Sequence, residues 1–167
     1  MKDDLVLDIG CGTNNQYMAH PRGDVNCDFD TPSKCIKNFV KCDAHYLPFG
    51  SQVFHKVVAY HLIEHLSVLS KFIVEIERIL KDNGEIEIVT PNIYSKTSWL
   101  DPSHIHHFNA ESLSNIFRNF KTEIRGHEGL WIPLRGNIFL LHKLRFFKYF
   151  CILSKNLKIT GVKKRRM

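Results

Sequence analysis

The chain has 167 residues, of which 44% are hydrophobic, and it carries a formal net charge of +6 at pH 7. This length suits a single domain with a two- or three-layer core, and the composition excludes a largely disordered protein because it contains no low-complexity tract. The start of the chain is charged and has no signal-peptide pattern, so we expect a cytoplasmic protein, with peripheral membrane contact as a second expectation.

The first predicted element is a buried parallel strand, Leu5–Ile9, that leads directly into the turn Gly10-Cys11-Gly12. Glycines at this point let the backbone bend sharply and approach a ligand closely. Asp8 near the end of the strand would repel a pyrophosphate, but it suits a ligand with positive charge or with many hydroxyl and amine donors. A dinucleotide-binding turn would need a third glycine where Asn15 stands. A tight turn without any ligand is the structural alternative.

Two further predicted strands, Val25–Asp28 and Phe39–Ala44, each carry an acid at or near their ends. Asp28 can accept both hydrogen bonds of a ribose diol. Asp43 can accept from an adenine amino group, with the apolar side chains of 46–49 beside the ring. Three such carboxylates would lie along one edge of the sheet, where open α/β folds bind ligands.

The remaining chain continues as alternating strands and helices. The predicted elements are a strand over 55–60 with a turn to Leu66, a helix over 72–80 that ends before Gly84, a strand over 85–92, a histidine-rich segment over 104–109 and a helix from Ser112.

Over about residues 4 to 126, this series of motifs resembles the class I S-adenosylmethionine-dependent methyltransferases, and within them a compact variety of the type 11 group. Asp8–Asn14 resembles the family's D-x-G-x-G-x-G motif, except that Asn14 replaces the last glycine. Glu64-His65-Leu66 resembles its E-H-L turn, and 104–108 its H-x-x-H-F segment. The resemblance implies a single-domain Rossmann-like α/β fold over 1–162. It would have a mostly parallel seven-stranded sheet, an antiparallel last strand, and helices on both faces.

The resemblance also implies S-adenosylmethionine as cofactor and S-adenosylhomocysteine as product. The residues expected to bind the cofactor are Asp8, Gly10, Cys11, Gly12, Asp28, Asp43, Ala44 and His61. His61 is also the expected catalytic base for an oxygen acceptor, because it follows the fourth strand, where the substrate cleft should open. A cofactor contact or a structural imidazole is the alternative for His61. We expect Glu64 and His65 to orient the loop, and His107 and Phe108 to pack at the start of the next helix.

The connection from the first to the second predicted strand is only the ten residues 15–24, which is too short for a full crossover helix. One face of the sheet should therefore be thinly covered. Either the cofactor cleft is more open than in relatives, or the C-terminal segment or a partner covers it.

Positive charge is concentrated at the C-terminus. Residues 1–120 contain 11 Lys and Arg against 15 Asp and Glu, whereas residues 121–167 contain 12 against 2. Apolar and basic residues mix over 131–153, which predicts an amphipathic helix between the last two strands and argues against a transmembrane span. A strand over 157–162 and a basic tail over 163–167 would follow. We favour packing of this helix on the sheet, with binding to an anionic membrane surface or a lipid-linked acceptor as the alternative.

Metal and disulfide sites are not predicted. The five cysteines show no C-x-x-C spacing, which favours reduced thiols in the core. His104 and His107 have a spacing that invites zinc, but no second pair of ligands accompanies them.

The predicted function is methyl transfer to oxygen on a small, sugar-like or lipid-linked acceptor. One alternative is a nucleic-acid methyltransferase that holds phosphates with its basic C-terminus, although 60–62 (Tyr-His-Leu) replaces the N/D-P-P-Y/F motif of that class. The other is a non-catalytic cofactor-binding subunit. The sequence does not predict an oligomeric state.

Overall fold

The computed structural model describes residues 4–12, 23–32, 35–129 and 154–164. These residues form seven strands, three α-helices and one 3₁₀ turn. In chain order they are β1 Val6–Ile9, β2 Val25–Asp28, β3 Phe39–Lys41, β4 Phe54–Tyr60, the 3₁₀ turn Ile63–His65, α1 Leu69–Ile79, β5 Leu80–Pro91, α2 Lys96–Leu100, α3 Ala110–Ile116, β6 Phe120–Gly129 and β7 Ser154–Lys163.

The strands form one sheet in the order β3-β2-β1-β4-β5-β7-β6. Strands β1 to β5 are parallel, and β7 runs antiparallel to both β5 and β6. This confirms the predicted Rossmann-like fold with an antiparallel last strand. The chain leaves β1 for β2 on one side and later returns to β4 on the other, so a crevice opens at the carboxyl end of β1.

One face of the sheet carries the hydrophobic core. Alternate residues such as Val57 and Ala59 of β4 and Ile86 and Ile88 of β5 point toward this face and are fully buried. The apolar stripe of α1 (Phe72, Ile73, Ile76 and Ile79) and Leu113 of α3 complete the same cluster. Burial of these side chains, each contributing about 1.5–3 kcal/mol, fixes the helices against the sheet below the crevice.

The opposite face of β4, β5 and β7 carries a group of charged and polar side chains beside the buried Val58 and Val89. Glu87 lies at its centre, 2.6 Å from Lys56 Nζ and 2.6 Å from Lys158 Nζ, and it accepts a hydrogen bond from the Tyr60 hydroxyl. Burial alone would raise the pKa of Glu87, but the hydrogen bonds from Lys158, Lys56 and Tyr60 outweigh it and lower the pKa to about 2. The prediction that one face of the sheet is thinly covered stays a prediction, because residues 13–22 and 130–153 lie outside the described residues.

The turn after α1 differs in detail from the prediction. The helix ends at Ile79, and the left-handed residue is Asn83 (φ 61°), not Gly84. Gly84 is required for another reason, since a Cβ there would lie 2.9 Å from the Lys81 carbonyl oxygen and 3.1 Å from that of His55. The glycine therefore allows β5 to approach β4 closely.

The predicted amphipathic helix over 131–153 lies outside the described residues. The predicted last strand is confirmed as part of β7, which extends to Lys163. Lys163 and Lys164 were assigned to a solvated tail, but their ammonium groups donate to the carbonyl oxygens of Leu80 and Arg118 at 2.8 and 2.7 Å. Among the residues that the structure describes, no helix is both long and apolar enough to cross a membrane.

Candidate functional site

The glycine turn after β1 is anchored to the end of β2. The amides of Gly10 and Cys11 both donate to the Cys27 carbonyl oxygen, at 2.9 and 3.1 Å. Gly10 (φ 69°) and Gly12 (φ 75°) adopt left-handed conformations that disfavour any side chain. A Cβ at Gly10 would lie 3.0 Å from a methyl group of Leu62, whereas no atom of the described residues lies within 4 Å of a Cβ placed at Gly12. The turn thus exposes bare backbone at the crevice.

Asp28 at the end of β2 is the central polar group of this crevice. Its Oδ2 accepts from the Gly12 amide at 2.8 Å, and its Oδ1 accepts from the Asp30 amide at 3.1 Å. A carboxylate oxygen can accept two hydrogen bonds, so each oxygen retains one acceptor site for a ligand. Asp28 is therefore held in place by the protein and still able to accept from a diol.

A cleft of about 380 Å³ opens beside these residues, within the range of about 300–1,000 Å³ that is usual for small-molecule sites. Four of the predicted cofactor residues line it: Gly10, Asp28, Asp43 and Ala44. Phe29, His45, Leu62 and His65 also line it.

The other predicted cofactor residues lie around the cleft rather than in its wall. Asp8 was expected at the mouth of the turn, but it is 2% exposed within β1, between Asn26 of β2 and Val58 of β4. Cys11 is fully buried. Gly12 contributes its amide to Asp28, and His61 precedes the lining residue Leu62. The structure thus buries Asp8 within β1 and Cys11 within the turn itself.

Asp43 is oriented by a neighbour that the sequence analysis did not identify. Its Oδ1 accepts from the His45 amide at 2.8 Å and lies 2.6 Å from His45 Nδ1. The Val68 amide donates to His45 Nε2 at 3.2 Å, so Nδ1 carries the ring proton and donates it to Asp43. The hydrogen bond from the His45 amide lowers the pKa of Asp43, burial opposes this effect, and the hydrogen bond from the His45 ring lowers the pKa further. Asp43 therefore remains an acceptor at neutral pH.

The loop after Asp43 is fixed by α1. Arg78 donates to the carbonyl oxygens of Leu47 and Phe49 at 2.9 and 2.6 Å, and its guanidinium also makes two 2.8 Å hydrogen bonds to Glu75. Glu75 in turn accepts from the Leu47 amide at 2.7 Å. This pair connects the core helix to the Asp43 side of the cleft.

Two thiols form part of the apolar wall. Cys27 and Cys42 both line the cleft, and all four cysteines in the described ranges are free. A hydrogen bond to Cys42, together with burial, raises the pKa of the Cys27 thiol. Cys11 and Cys27 are buried, as predicted for core residues, whereas Cys42 is half-buried and Cys35 is exposed, so the prediction was wrong for Cys35.

His61 adopts a left-handed backbone conformation (φ 50°) at the end of β4, and its side chain is about half exposed. Its Nδ1 lies 3.3 Å from Oε1 of Glu64, which is 1% exposed. The other oxygen of Glu64 accepts from the Thr90 hydroxyl at 3.0 Å. Glu64 therefore does orient this loop, as predicted, and it does so from inside the core.

The histidine-rich segment divides into three roles. His107 stacks on Trp99 at 3.8 Å between ring centroids and pairs with the Ser98 hydroxyl at 2.8 Å. His106 Nε2 donates to the Leu66 carbonyl oxygen at 2.9 Å. His104 instead lies against His65, with ring centroids 4.7 Å apart. His107 and Phe108 thus serve in packing as expected, whereas His65 lines the cleft.

Sequence reasoning did not identify Phe29, His45 or the Glu75–Arg78 pair. The i, i+3 spacing of Glu75 and Arg78 signals a helix pair, but nothing in the sequence shows which loop the arginine reaches. Phe29 is 69% exposed beside Asp28 at the cleft. In the sequence, the position of Phe29 directly after Asp28 was the signal that could have identified it as a cleft residue.

Comparisons with known proteins agree with this geometry. A family model described as "Methyltransferase domain" matches residues 2–124. An uncharacterised protein of Methanocaldococcus jannaschii is 31% identical over an alignment of 96 residues, and the match covers 54% of this chain but only 38% of that relative.

Two solved structures show the same fold. A SAM-dependent methyltransferase of Archaeoglobus fulgidus has a TM-score of 0.68 and 21% identity, covering 95% of this chain and 85% of that one. Phosphoethanolamine N-methyltransferase 2 of Haemonchus contortus, in complex with S-adenosyl-L-methionine, has a TM-score of 0.64 and 16% identity, covering 99% of this chain and 50% of that one.

Proposed function

Because the chain belongs to the methyltransferase domain family, we propose that it transfers a methyl group from S-adenosylmethionine to an oxygen of a small, sugar-like or lipid-linked acceptor. The observation that carries this proposal is the pair formed by the Gly12 amide and the Asp28 carboxylate at the open glycine turn. At the crevice where open α/β sheets bind ligands, this arrangement places backbone without side chains next to a carboxylate that can accept hydrogen bonds from a diol.

The residues at the cleft fit the cofactor. Asp28 would accept from the ribose hydroxyls, and Phe29 offers an apolar surface next to it. Asp43 and Ala44 would contact the adenine edge, with Asp43 kept ionised and oriented by His45. The open space above Gly12 would let the cofactor approach the backbone.

S-adenosylmethionine supplies a methyl group already activated on a sulfonium, so the protein's task is to orient the acceptor and to manage its proton. Positioning of this kind can contribute about 7–11 kcal/mol. His61 is the proposed base. Its Nδ1 faces Glu64, which leaves Nε2 to take the proton of an acceptor hydroxyl as the new carbon–oxygen bond forms. Glu64, held by Thr90, would orient the imidazole and stabilise its charged form.

The first experiment is calorimetric binding of S-adenosylmethionine, S-adenosylhomocysteine and NAD to the purified chain. Binding of the first two and not of NAD is expected. Binding of NAD in their place would contradict the proposed cofactor.

The second experiment is transfer of labelled methyl groups from S-adenosylmethionine to a panel of acceptors. The panel contains sugars, lipid-linked sugars, small amines and a short RNA. Labelling of a hydroxylated acceptor supports the proposal. Labelling of the RNA alone would favour the nucleic-acid alternative, and cofactor binding without any labelling would favour a non-catalytic subunit.

A further inference from the structure

We infer that Glu64, His65 and His104 form a binding site for a divalent transition-metal ion at the edge of the cleft. One ligand atom from each residue lies within 4.8 Å of the other two. The three residues come from two segments, the turn after β4 and the loop after α2, which are far apart in the sequence.

The protonation of His65 leaves a ring nitrogen available for a metal. His65 Nδ1 lies 3.2 Å from the Ser103 carbonyl oxygen and 3.0 Å from the Ser103 hydroxyl. That hydroxyl donates its own hydrogen to Asp101 Oδ1 at 2.6 Å, so both atoms of Ser103 can only accept from the ring. Nδ1 therefore carries the proton, and Nε2 has a free lone pair.

His104 has the same arrangement. Its Nδ1 is 3.1 Å from the carbonyl oxygen of Ser98, which can only accept, so Nδ1 carries the proton. Metal-binding histidines generally donate their second N–H to a carbonyl or carboxylate in this way, which fixes the ring orientation. Both histidines thus have the hydrogen bonds that a metal ligand requires.

Glu64 supplies the negative charge. The side chain is 1% exposed, and Oε1 receives no hydrogen bond from the described residues, although His61 Nδ1 lies 3.3 Å from it. A buried carboxylate oxygen without a directed donor is costly, and a cation would compensate it. A carboxylate oxygen has two lone pairs, so Oε1 can bind a cation and keep its contact with His61.

Two imidazoles and one carboxylate suit Zn²⁺ with one position left open. Zinc bonds of about 2.0–2.2 Å place two ligand atoms of a tetrahedral site about 3.4 Å apart. Ligand atoms that are now up to 4.8 Å apart would therefore need to close by up to about 1.4 Å when the ion binds.

The open position would face the cleft, since His65 lines it. An ion there would bind an acceptor hydroxyl and lower its pKa, which assists transfer to oxygen. This role rests on the proposed function, whereas binding of the ion itself does not.

The test is calorimetric titration of Zn²⁺ into the metal-free full chain, with Co²⁺ absorption spectra as a second measurement. We expect one Zn²⁺ per chain, and at least tenfold weaker binding in His65→Gln and in His104→Gln. The matched control is His55→Gln, which removes a half-exposed histidine on β4 that does not belong to the group, and it should bind as the wild type does.

Thermal unfolding of each variant checks that it is folded, and His65→Gln is the safer of the two because its side chain is exposed. Absence of stoichiometric Zn²⁺ binding by the wild type, or equal loss in the His55 variant, would overturn the site. S-adenosylmethionine binding measured on the same protein separates the two proposals. Cofactor binding without zinc binding refutes only the metal site, and zinc binding without cofactor binding refutes only the proposed function.

Discussion

The backbone amide of Gly12 donates a 2.8 Å hydrogen bond to the carboxylate of Asp28, 16 residues further along the chain. This contact joins the glycine turn after β1 to the end of β2, so the two parts of the cleft are positioned by each other. The carboxylate has a double role, because it holds the turn and still has acceptor sites for a ligand.

Replacement of Asp28 by alanine should weaken S-adenosylmethionine binding about 10- to 100-fold. Hydrogen bonds to a charged group contribute about 1.5–3 kcal/mol, and the variant also loses the anchor of Gly12. Calorimetry measures the change. The control is Asp30→Ala, because Asp30 contributes its amide and not its side chain to Asp28. Unchanged affinity in Asp28→Ala would contradict the assignment of the ribose site.

Replacement of His61 by alanine should lower turnover about 100-fold or more at saturating cofactor and leave cofactor affinity nearly intact. The reason is that His61 is not among the residues that line the cleft, so the proposed base should contact the acceptor and not the bound cofactor. Steady-state kinetics with an acceptor found in the methyl-transfer panel measure this. A loss of cofactor affinity with normal turnover would show that His61 is a cofactor contact, and no change in either would leave it a structural residue.

Replacement of Glu87 by glutamine should lower the free energy of unfolding at pH 7 by about 2 kcal/mol, because Lys56 and Lys158 lose a charged partner. The pKa of Glu87 is about 2 in the folded protein and near 4.5 when unfolded. A lowered folded-state pKa stabilises the protein above the unfolded pKa, and this stabilisation is lost as the pH falls from about 4.5 to 2.

The difference between the wild type and Glu87→Gln should therefore shrink over this pH range, as measured by urea unfolding. Glu85→Gln on the same strand is the control, since Glu85 is exposed and should show a small, pH-independent effect. A Glu87→Gln difference that stays constant between pH 7 and pH 2.5 would contradict this account.

Replacement of Arg78 by lysine keeps the charge but removes the planar fork that reaches Glu75, Leu47 and Phe49 together. We expect a loss of about 1–2 kcal/mol in unfolding free energy and several-fold weaker cofactor binding, since the loop after Asp43 would be less well held. Chemical unfolding and calorimetry measure the two effects. Ser70→Ala, an exposed change on the same helix, serves as the control. Wild-type values in Arg78→Lys would show that the fork does not hold this loop.

The basic C-terminal part predicts binding to anionic membranes if the acceptor is lipid-linked. Residues 121–167 contain 12 Lys and Arg against 2 Glu. Co-sedimentation with anionic vesicles should exceed that with neutral vesicles and should decrease as salt is raised, because surface electrostatics are screened. Equal binding to both vesicle types, or none, would favour a soluble acceptor and a packing role for this segment.

The sequence by itself determined the order of the elements and the main acids of the site. Strand burial and backbone turns follow local rules, because they require particular residues at particular positions. These rules account for the apolar strands that alternate with helices, for the glycines at 10 and 12, and for Asp28 and Asp43 at or just after strand ends. For this reason the sheet, and the presence of Asp28 and Asp43 at its edge, could be predicted.

Only the tertiary structure decided which side chains meet. Asp8 shares its strand with cleft residues, but β2 and β4 bury it between them. His45 donates its ring proton to Asp43 because a hydrogen bond from the Val68 amide fixes its tautomer. Glu64 and His65 lie close to His104 because two loops that are distant in the sequence converge. His104 and His107 have the spacing of metal ligands, yet His107 stacks on Trp99 and only His104 joins that group. Partners of this kind depend on side-chain directions after packing, which sequence spacing does not contain.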